Sequence, residues 1–366
     1  MIHGIRTLRW RPFRLTMHGR FEAASGAIDH RHGVLIELVD EDGRQGFGEA
    51  APMAHIDGGN AQHVLDLFQQ HGASLLEDGG ASVEGPGAVA LRCALDVAEL
   101  DLRAGSAAQP IAWLLGKDPA TWVSVNAIIN GGEPREVADF GQQAMNAGYS
   151  VLKLKVGVAG LDEDIARVGA LREDCPEATI RLDANGAWDE ETTRHAFEGL
   201  YPHRIELLEQ PVAADDVEAL ARLRDAAPMR IAADEAVDSP DCFERVLELH
   251  AADFVVLKPM FLGGLRPAIA IAERAAAHGI GAFATTTFDS SIGIAATLQL
   301  AAALPTDAAH GLATGEHLSA DVVVSTLRPC AGRMAVPSSP GLGIAPQAAA
   351  LDVIATAPWS EVSVSA

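Results

Sequence analysis

The chain has 366 residues, 48% hydrophobic and 21% charged, with a formal net charge of −23. That balance describes a globular protein with a large core and room for two domains. The charge argues against nucleic acid and anionic membrane as partners, and no apolar stretch has the length of a transmembrane helix.

The acidic excess, with scarce Lys and abundant Ala, reads either as a plain solvated surface or as adaptation to a salty host. The opening MIHGIRTLRWRPFRL is basic but has no continuous apolar run, so it does not read as a secretory signal. Cys93, Cys175, Cys242 and Cys330 are far apart and form neither a metal-type pair nor a dense disulfide pattern. This suits a reducing cytoplasm.

Residues 20–50, RFEAASGAIDHRHGVLIELVDEDGRQGFGEA, predict antiparallel strands with a turn at DEDG. Helical patterns follow around AQHVLDLFQQHG and GAVALRCALDVAELDLRAG. Residues 1–118 thus read as an α+β unit. From about 124 to 315, eight apolar runs follow one another: SVNAIIN, VLKLKVG, TIRLDAN, IELLEQP, RIAADEA, DFVVLKP, GAFATTT and AHGLATG. Their starts lie about 23 to 28 residues apart, which is room for a strand, a helix and two loops. Between them lie helical patterns such as PREVADFGQQAMNAG, with Val137, Phe140, Ala144 and Met145 on one face. Repeated units of this number point to a parallel (β/α) barrel over residues 119–325, although the spacing alone leaves a doubly wound sheet open. The tail, residues 326–366, has turn residues between short apolar runs and could return to the first unit.

Side chains at the C-terminal ends of barrel strands converge on one pocket. The charged residues expected there are Lys153, Lys155, Asp183, Asn185, Glu209, Asp234, Glu235 and Lys258. The chain has only four lysines, and Lys117 alone lies elsewhere. Lys, unlike Arg, can give up its proton when buried and act as a base. Strand alternation puts Lys153 and Lys155 on one face. Asp183, Glu209 and Asp234 fall on three consecutive strands. Left together they would repel, and a hard divalent cation resolves that conflict. Oxygen ligands with room for water and substrate favour Mg²⁺ over Zn²⁺, with Mn²⁺ left open. Lysines on opposite sides of the ring beside a metal fit abstraction of a proton α to a carboxylate.

KLK (153–155), DAN (183–185), LEQP (208–211), DE (234–235) and LKP (257–259) together resemble the muconate-lactonizing subgroup of the enolase superfamily. GFGEAAP (46–52) resembles that family's capping domain. The resemblance implies a modified TIM barrel, (β/α)₇β, with an α+β capping domain. It implies Asp183, Glu209 and Asp234 as Mg²⁺ ligands and Lys155 as the base. Lys258 becomes the acid/base or cation on the other face, Lys153 a support for Lys155, and Asn185 and Glu235 supports of the metal site. The expected ligand is a small-molecule carboxylate, and a homo-oligomer is left open.

Within the subgroup, dipeptide epimerases carry Asp-x-Asp at the end of the eighth strand, and HGLATGEHLSAD (310–321) lacks it. KPMFLGGL (258–265), TTTFDSSIG (285–293) and HGLATG (310–315) resemble o-succinylbenzoate synthases. That implies syn elimination of water in menaquinone synthesis, with muconate-type cycloisomerase, N-acylamino acid racemase and dipeptide epimerase as alternatives. Gly264, Thr286, Ser290 and Ser291 are the candidate substrate contacts. The two serines read equally as donors to a substrate carboxylate or as a helix N-cap. His30, His32 and His55 lie in segments that could line the pocket.

Overall fold

The computed structural model describes residues 4–23, 26–54, 58–325 and 327–363. An antiparallel sheet of order β13-β1-β2-β3 joins β1 (Ile5–Ala23), β2 (Gly26–Asp40), β3 (Gln45–Ala50) and β13 (Ser360–Ser363). The C-terminal strand thus returns to pair with β1. The DEDG turn joins β2 to β3: Asp40 accepts from the backbone of Asp42 and Arg44, and Gly43 takes a φ of 79°. The helix Ala88–Ser106 lies directly on β3. A Cβ on Gly48 would sit 1.9 Å from the Ala94 carbonyl oxygen, and one on Gly46 2.2 Å from that of Ala98. Only glycine lets strand and helix backbones approach so closely.

The second sheet is parallel and follows the order β11-β10-β9-β8-β7-β6-β5. Its strands are β5 (Ala127–Ile129), β6 (Val151–Lys155), β7 (Thr179–Asp183), β8 (Ile205–Glu209), β9 (Arg230–Ala233), β10 (Phe254–Leu257) and β11 (Gly281–Ala284). The eighth apolar run closes the ring by isolated parallel bridges, Thr285 to Gly311 and Val125 to His310. It then tightens into a 3₁₀ turn, Ala313–His317. The first run begins differently from its pattern. Trp122–Ser124 forms β4 and pairs outside the barrel with β12 (Arg333–Ala335). The fold is therefore α/β, a curled parallel barrel sheet capped by an antiparallel sheet. No described helix is long and apolar enough to cross a membrane.

In the helix Pro134–Asn146 the inward face is Val137, Ala138 and Gly141. Phe140, expected inside, is 44% exposed. Leu171 occupies the space beside Gly141, where a Cβ would meet it at 2.3 Å, so the stripe centres on residues 137, 141 and 144 and turns Phe140 outward. The helix Ser291–Ala303 is apolar on nearly every side and is buried between β3 and β11. Burial of Ile292, Ile294, Leu298 and Leu300 contributes about 1.5–3 kcal/mol each.

The barrel floor is sealed by a cation. Arg181 is buried, donates to Glu206 at 2.6 Å and to the Ala309 carbonyl at 2.6 Å, and lies over the Phe283 ring. Beside it His310 Nδ1 accepts the Ala284 amide at 3.0 Å. Burial, and then Arg181, press the imidazole pKa down to about 3. Its folded value lies below its unfolded one, so the unfolded chain binds the extra proton and stability falls with pH below the ordinary histidine range. At pH 5 the cost is about 2 kcal/mol relative to neutral pH. Urea midpoints from pH 7.5 to 5 are expected to fall, and His310→Gln is expected to flatten that slope. An unchanged slope in the variant would remove His310 from the explanation.

Candidate active site

Strand periodicity delivers the charged residues to one end of the barrel. Leu152 and Leu154 are fully buried on the outer face of β6, while Lys153 and Lys155 project to the other side. In register, Lys155 lies beside Asp183 and Asp183 beside Glu209. Asp183, Glu209 and Asp234 are each at most 1% exposed, and carboxylate oxygens from all three lie within 4.8 Å of one another.

The lysines reach into this cluster. Lys153 Nζ donates to both Glu209 oxygens at 2.7 and 2.8 Å and lies 2.9 Å from Asp183. Lys155 Nζ donates to Asp183 and to the Asn185 side-chain oxygen, both at 2.6 Å. Lys258 Nζ donates to Asp234 at 2.6 Å. Asn185, at a φ of 44° that Asn tolerates, passes the network on to Glu235 at 2.9 Å. The fourth lysine, Lys117, is exposed.

Gln210 is part of the site and carries no charge to reveal it in the sequence. Fully buried, its side-chain oxygen accepts from the amides of Asp234 at 2.9 Å and Ala236 at 3.3 Å, and its nitrogen donates to the Val212 carbonyl. It fixes the turn that aims Asp234. Asp238 is a second addition: neither carboxylate oxygen has a protein partner, although both are buried.

Charge balance tests whether these residues fit a divalent cation. Asp183, Glu209, Asp234, Glu235 and Asp238 face Lys153, Lys155 and Lys258, an excess of two negative charges. Burial, then Asp183, push the Glu209 carboxyl up to about 8. Burial opposes the charge on Lys153, but Asp183, Glu209 and Asp234 outweigh it and drive its pKa up. Likewise burial works against Lys258, and Asp234, Glu235 and Asp238 overcome it. Burial opposes ionisation of Asp183, yet Lys153 and Lys155 hold it far below the carboxylate range. Asp234 Oδ1 is buried without a partner. An all-oxygen triad with spare negative charge and an orphaned oxygen fits Mg²⁺. About a hundredfold excess of Mg²⁺ over its Kd should add about 2.7 kcal/mol, seen as a higher thermal midpoint that chelation reverses. A midpoint indifferent to both Mg²⁺ and chelator would count against the site.

The candidate substrate contacts Ser290, Ser291 and Thr286 bond groups of the protein itself. Ser290 is the N-cap of the helix Ser291–Ala303, accepting the Ile292 amide, and its hydroxyl goes to Glu49 at 2.5 Å. The Ser291 hydroxyl goes to Asp321 at 2.6 Å. Both hydroxyl protons thus go to protein carboxylates, and Ser290 caps the helix. Thr286 bonds the Gly311 carbonyl and Thr314. Gly264 packs on Asp96, where a Cβ would meet the carboxylate at 2.4 Å, and Asp96 caps the helix Leu265–Ala277 through the Leu265 and Arg266 amides. His32 is exposed, His30 pairs with Asp29, and His55 lies outside the described residues.

Residues 136–350 match the family described as enolase C-terminal domain-like. A hydrophobic dipeptide epimerase of Enterococcus faecalis V583 is 31% identical over 315 residues, 82% of this chain and 87% of that one. An o-succinylbenzoate synthase of Thermobifida fusca is 38% identical over 218 residues, 58% of this chain and 66% of that one. The crystal structure of the Enterococcus faecalis dipeptide epimerase with Mg and L-Leu-L-Tyr is similar with a TM-score of 0.87 at 27% identity, covering 93% of this chain and 99% of that one. These relatives share a scaffold and differ in reaction. Family match, barrel and acidic triad agree, and the chain is an enzyme of the enolase superfamily.

Proposed function

We propose that the protein is an o-succinylbenzoate synthase, a Mg²⁺-dependent lyase acting on 2-succinyl-6-hydroxy-2,4-cyclohexadiene-1-carboxylate. One observation carries this choice over peptide epimerisation. The carboxylates after the eighth strand are already engaged: Glu316 accepts from the Tyr149 hydroxyl at 2.7 Å, and Asp321 accepts from the Ser291 amide and hydroxyl. No Asp-x-Asp stands there to hold a peptide's ammonium. The 38% identity to a synthase over 218 residues supports the same reading.

A divalent cation held by Asp183, Glu209 and Asp234 would supply positive charge for the substrate carboxylate and for the enediolate formed from it. Lys155 is the base. It is the most accessible of the three site lysines, with 18% of its side chain exposed against 9% for Lys153 and 10% for Lys258. Lys153, locked between Asp183 and Glu209, keeps its proton and places a fixed charge beside Lys155. Lys258, only 8% exposed and surrounded by acids, also keeps its proton and serves as a cation on the opposite face. Lys155 takes the α-proton and returns it to the hydroxyl leaving from the same face. A C–H and a C–O bond break, water departs and the ring becomes aromatic. The test is absorbance of the purified enzyme with the cyclohexadiene substrate. Conversion that needs Mg²⁺ and stops on chelation is expected; no conversion would refute the assignment.

A further inference from the structure

One contact of the capping sheet with the barrel is a buried carboxylate. Glu49, on β3, is 2% exposed and accepts from the Ser290 amide at 3.0 and 3.1 Å, the Ser290 hydroxyl at 2.5 Å and the Gly293 amide at 3.1 Å. From a segment 241 residues away it accepts the N-cap amide of Ser290 and the first-turn amide of Gly293 in the helix Ser291–Ala303. The loop ahead of that helix, residues 285–290, starts beside the site: the Thr285 amide bonds the Leu257 carbonyl, next to Lys258.

This loop is strained. Phe288 is buried at a φ of 60°, a left-handed conformation that a bulky residue rarely adopts. Its ring meets His317 edge-on at 5.7 Å. Asp289 is also buried and accepts from the Thr287 hydroxyl at 2.7 Å. Burial, then the charge of Asp289, push the Glu49 carboxyl up to about 7. Two acids facing each other across a dry boundary are costly, and Arg31 offsets the charge on Asp289. The same capping stretch touches the other side of the site, where the Ala51 amide lies 3.2 Å from Met260 Sδ, two residues after Lys258.

We propose that Glu49 is a positioning residue, which clamps the strained 285–290 loop against the Lys258 side of the site from across the domain boundary. The substrate-binding part of this proposal rests on the site reading above; the loop-holding part does not. Phe288 stays left-handed because Glu49 anchors the residue that follows Asp289. Released from the clamp, the loop relaxes away from the substrate face, while the acidic triad at the ends of β7, β8 and β9 is untouched.

Amide hydrogen exchange of the full chain with Mg²⁺, followed by kinetics on whichever carboxylate it turns over, tests this. Glu49→Ala is expected to speed exchange at residues 286–293 about tenfold and raise KM about tenfold, with Mg²⁺ affinity unchanged. Glu49→Gln should recover much of both, since its side-chain oxygen still accepts the Ser290 amide. A merely structural Glu49 would lower the thermal midpoint and leave loop exchange and KM at wild-type values, which overturns the proposal. Should Glu49→Ala fail to fold, Ser290→Ala removes one of the donors and is expected to move both readouts the same way by a few-fold; no movement would again overturn it. Exchange needs no substrate, so failure of the dehydration reading leaves this outcome legible.

Discussion

Lys155→Ala is expected to lower turnover by about 10³-fold or more while Mg²⁺ still binds. The separation follows from geometry. Lys155 bonds Asp183 and Asn185 but shares Asp183 with Lys153, which remains to balance the triad. Removing Lys155 deletes the most accessible of the three site amines and leaves Asp183, Glu209 and Asp234 with their backbone and side-chain supports. Calorimetric titration with Mg²⁺ and steady-state rates on the same preparation read the two effects apart. A rate within about tenfold of wild type would remove Lys155 from the role of base.

Glu209→Gln is expected to abolish turnover and weaken Mg²⁺ binding by at least about 100-fold. Its effect on folding is expected to be smaller than that of a typical buried substitution. Glu209 is fully buried and pushed up to about 8 by burial and then by Asp183, so in the metal-free protein its charge is poorly tolerated. Losing it costs Lys153 part of a two-oxygen contact, but Asp183 remains 2.9 Å away. The metal-free variant should therefore lie within about 1 kcal/mol of wild type. Mg²⁺ should raise the thermal midpoint of wild type and not of the variant. A variant stabilised by Mg²⁺ as strongly as wild type would move the metal elsewhere.

The strand-end residues are legible in the sequence because a two-residue period and a repeating strand–helix unit are local facts. VLKLK states which side chains share a face, and DAN, LEQP and DE mark three consecutive strand ends. Closure of the ring is less legible, since the eighth run contributes only isolated bridges before its 3₁₀ turn. Gln210 is silent because its task is to hold two backbone amides, and no charge or spacing announces that. Ser290 and Ser291 look like donors for a ligand until Glu49 and Asp321 are brought to them. The Glu49 contact belongs to the packing of cap on barrel and the Asp321 contact to the segment after the eighth strand, and neither has a local signature. Phe140 shows the same limit on a helix: the apolar stripe is visible, but Leu171 decides which edge of it faces inward.

The account rests on dehydration by one base, with Lys258 remaining a cation. Two lysines on opposite faces also suit racemisation, and relatives of this chain include an epimerase. The decisive measurement is kcat/KM with Mg²⁺ for the cyclohexadiene carboxylate against a panel of dipeptides and N-acylamino acids. A preference for the cyclohexadiene of at least about 100-fold is predicted, equivalent to about 2.7 kcal/mol of transition-state discrimination. Epimerisation of any dipeptide or racemisation of any acylamino acid at an equal or higher kcat/KM would contradict it.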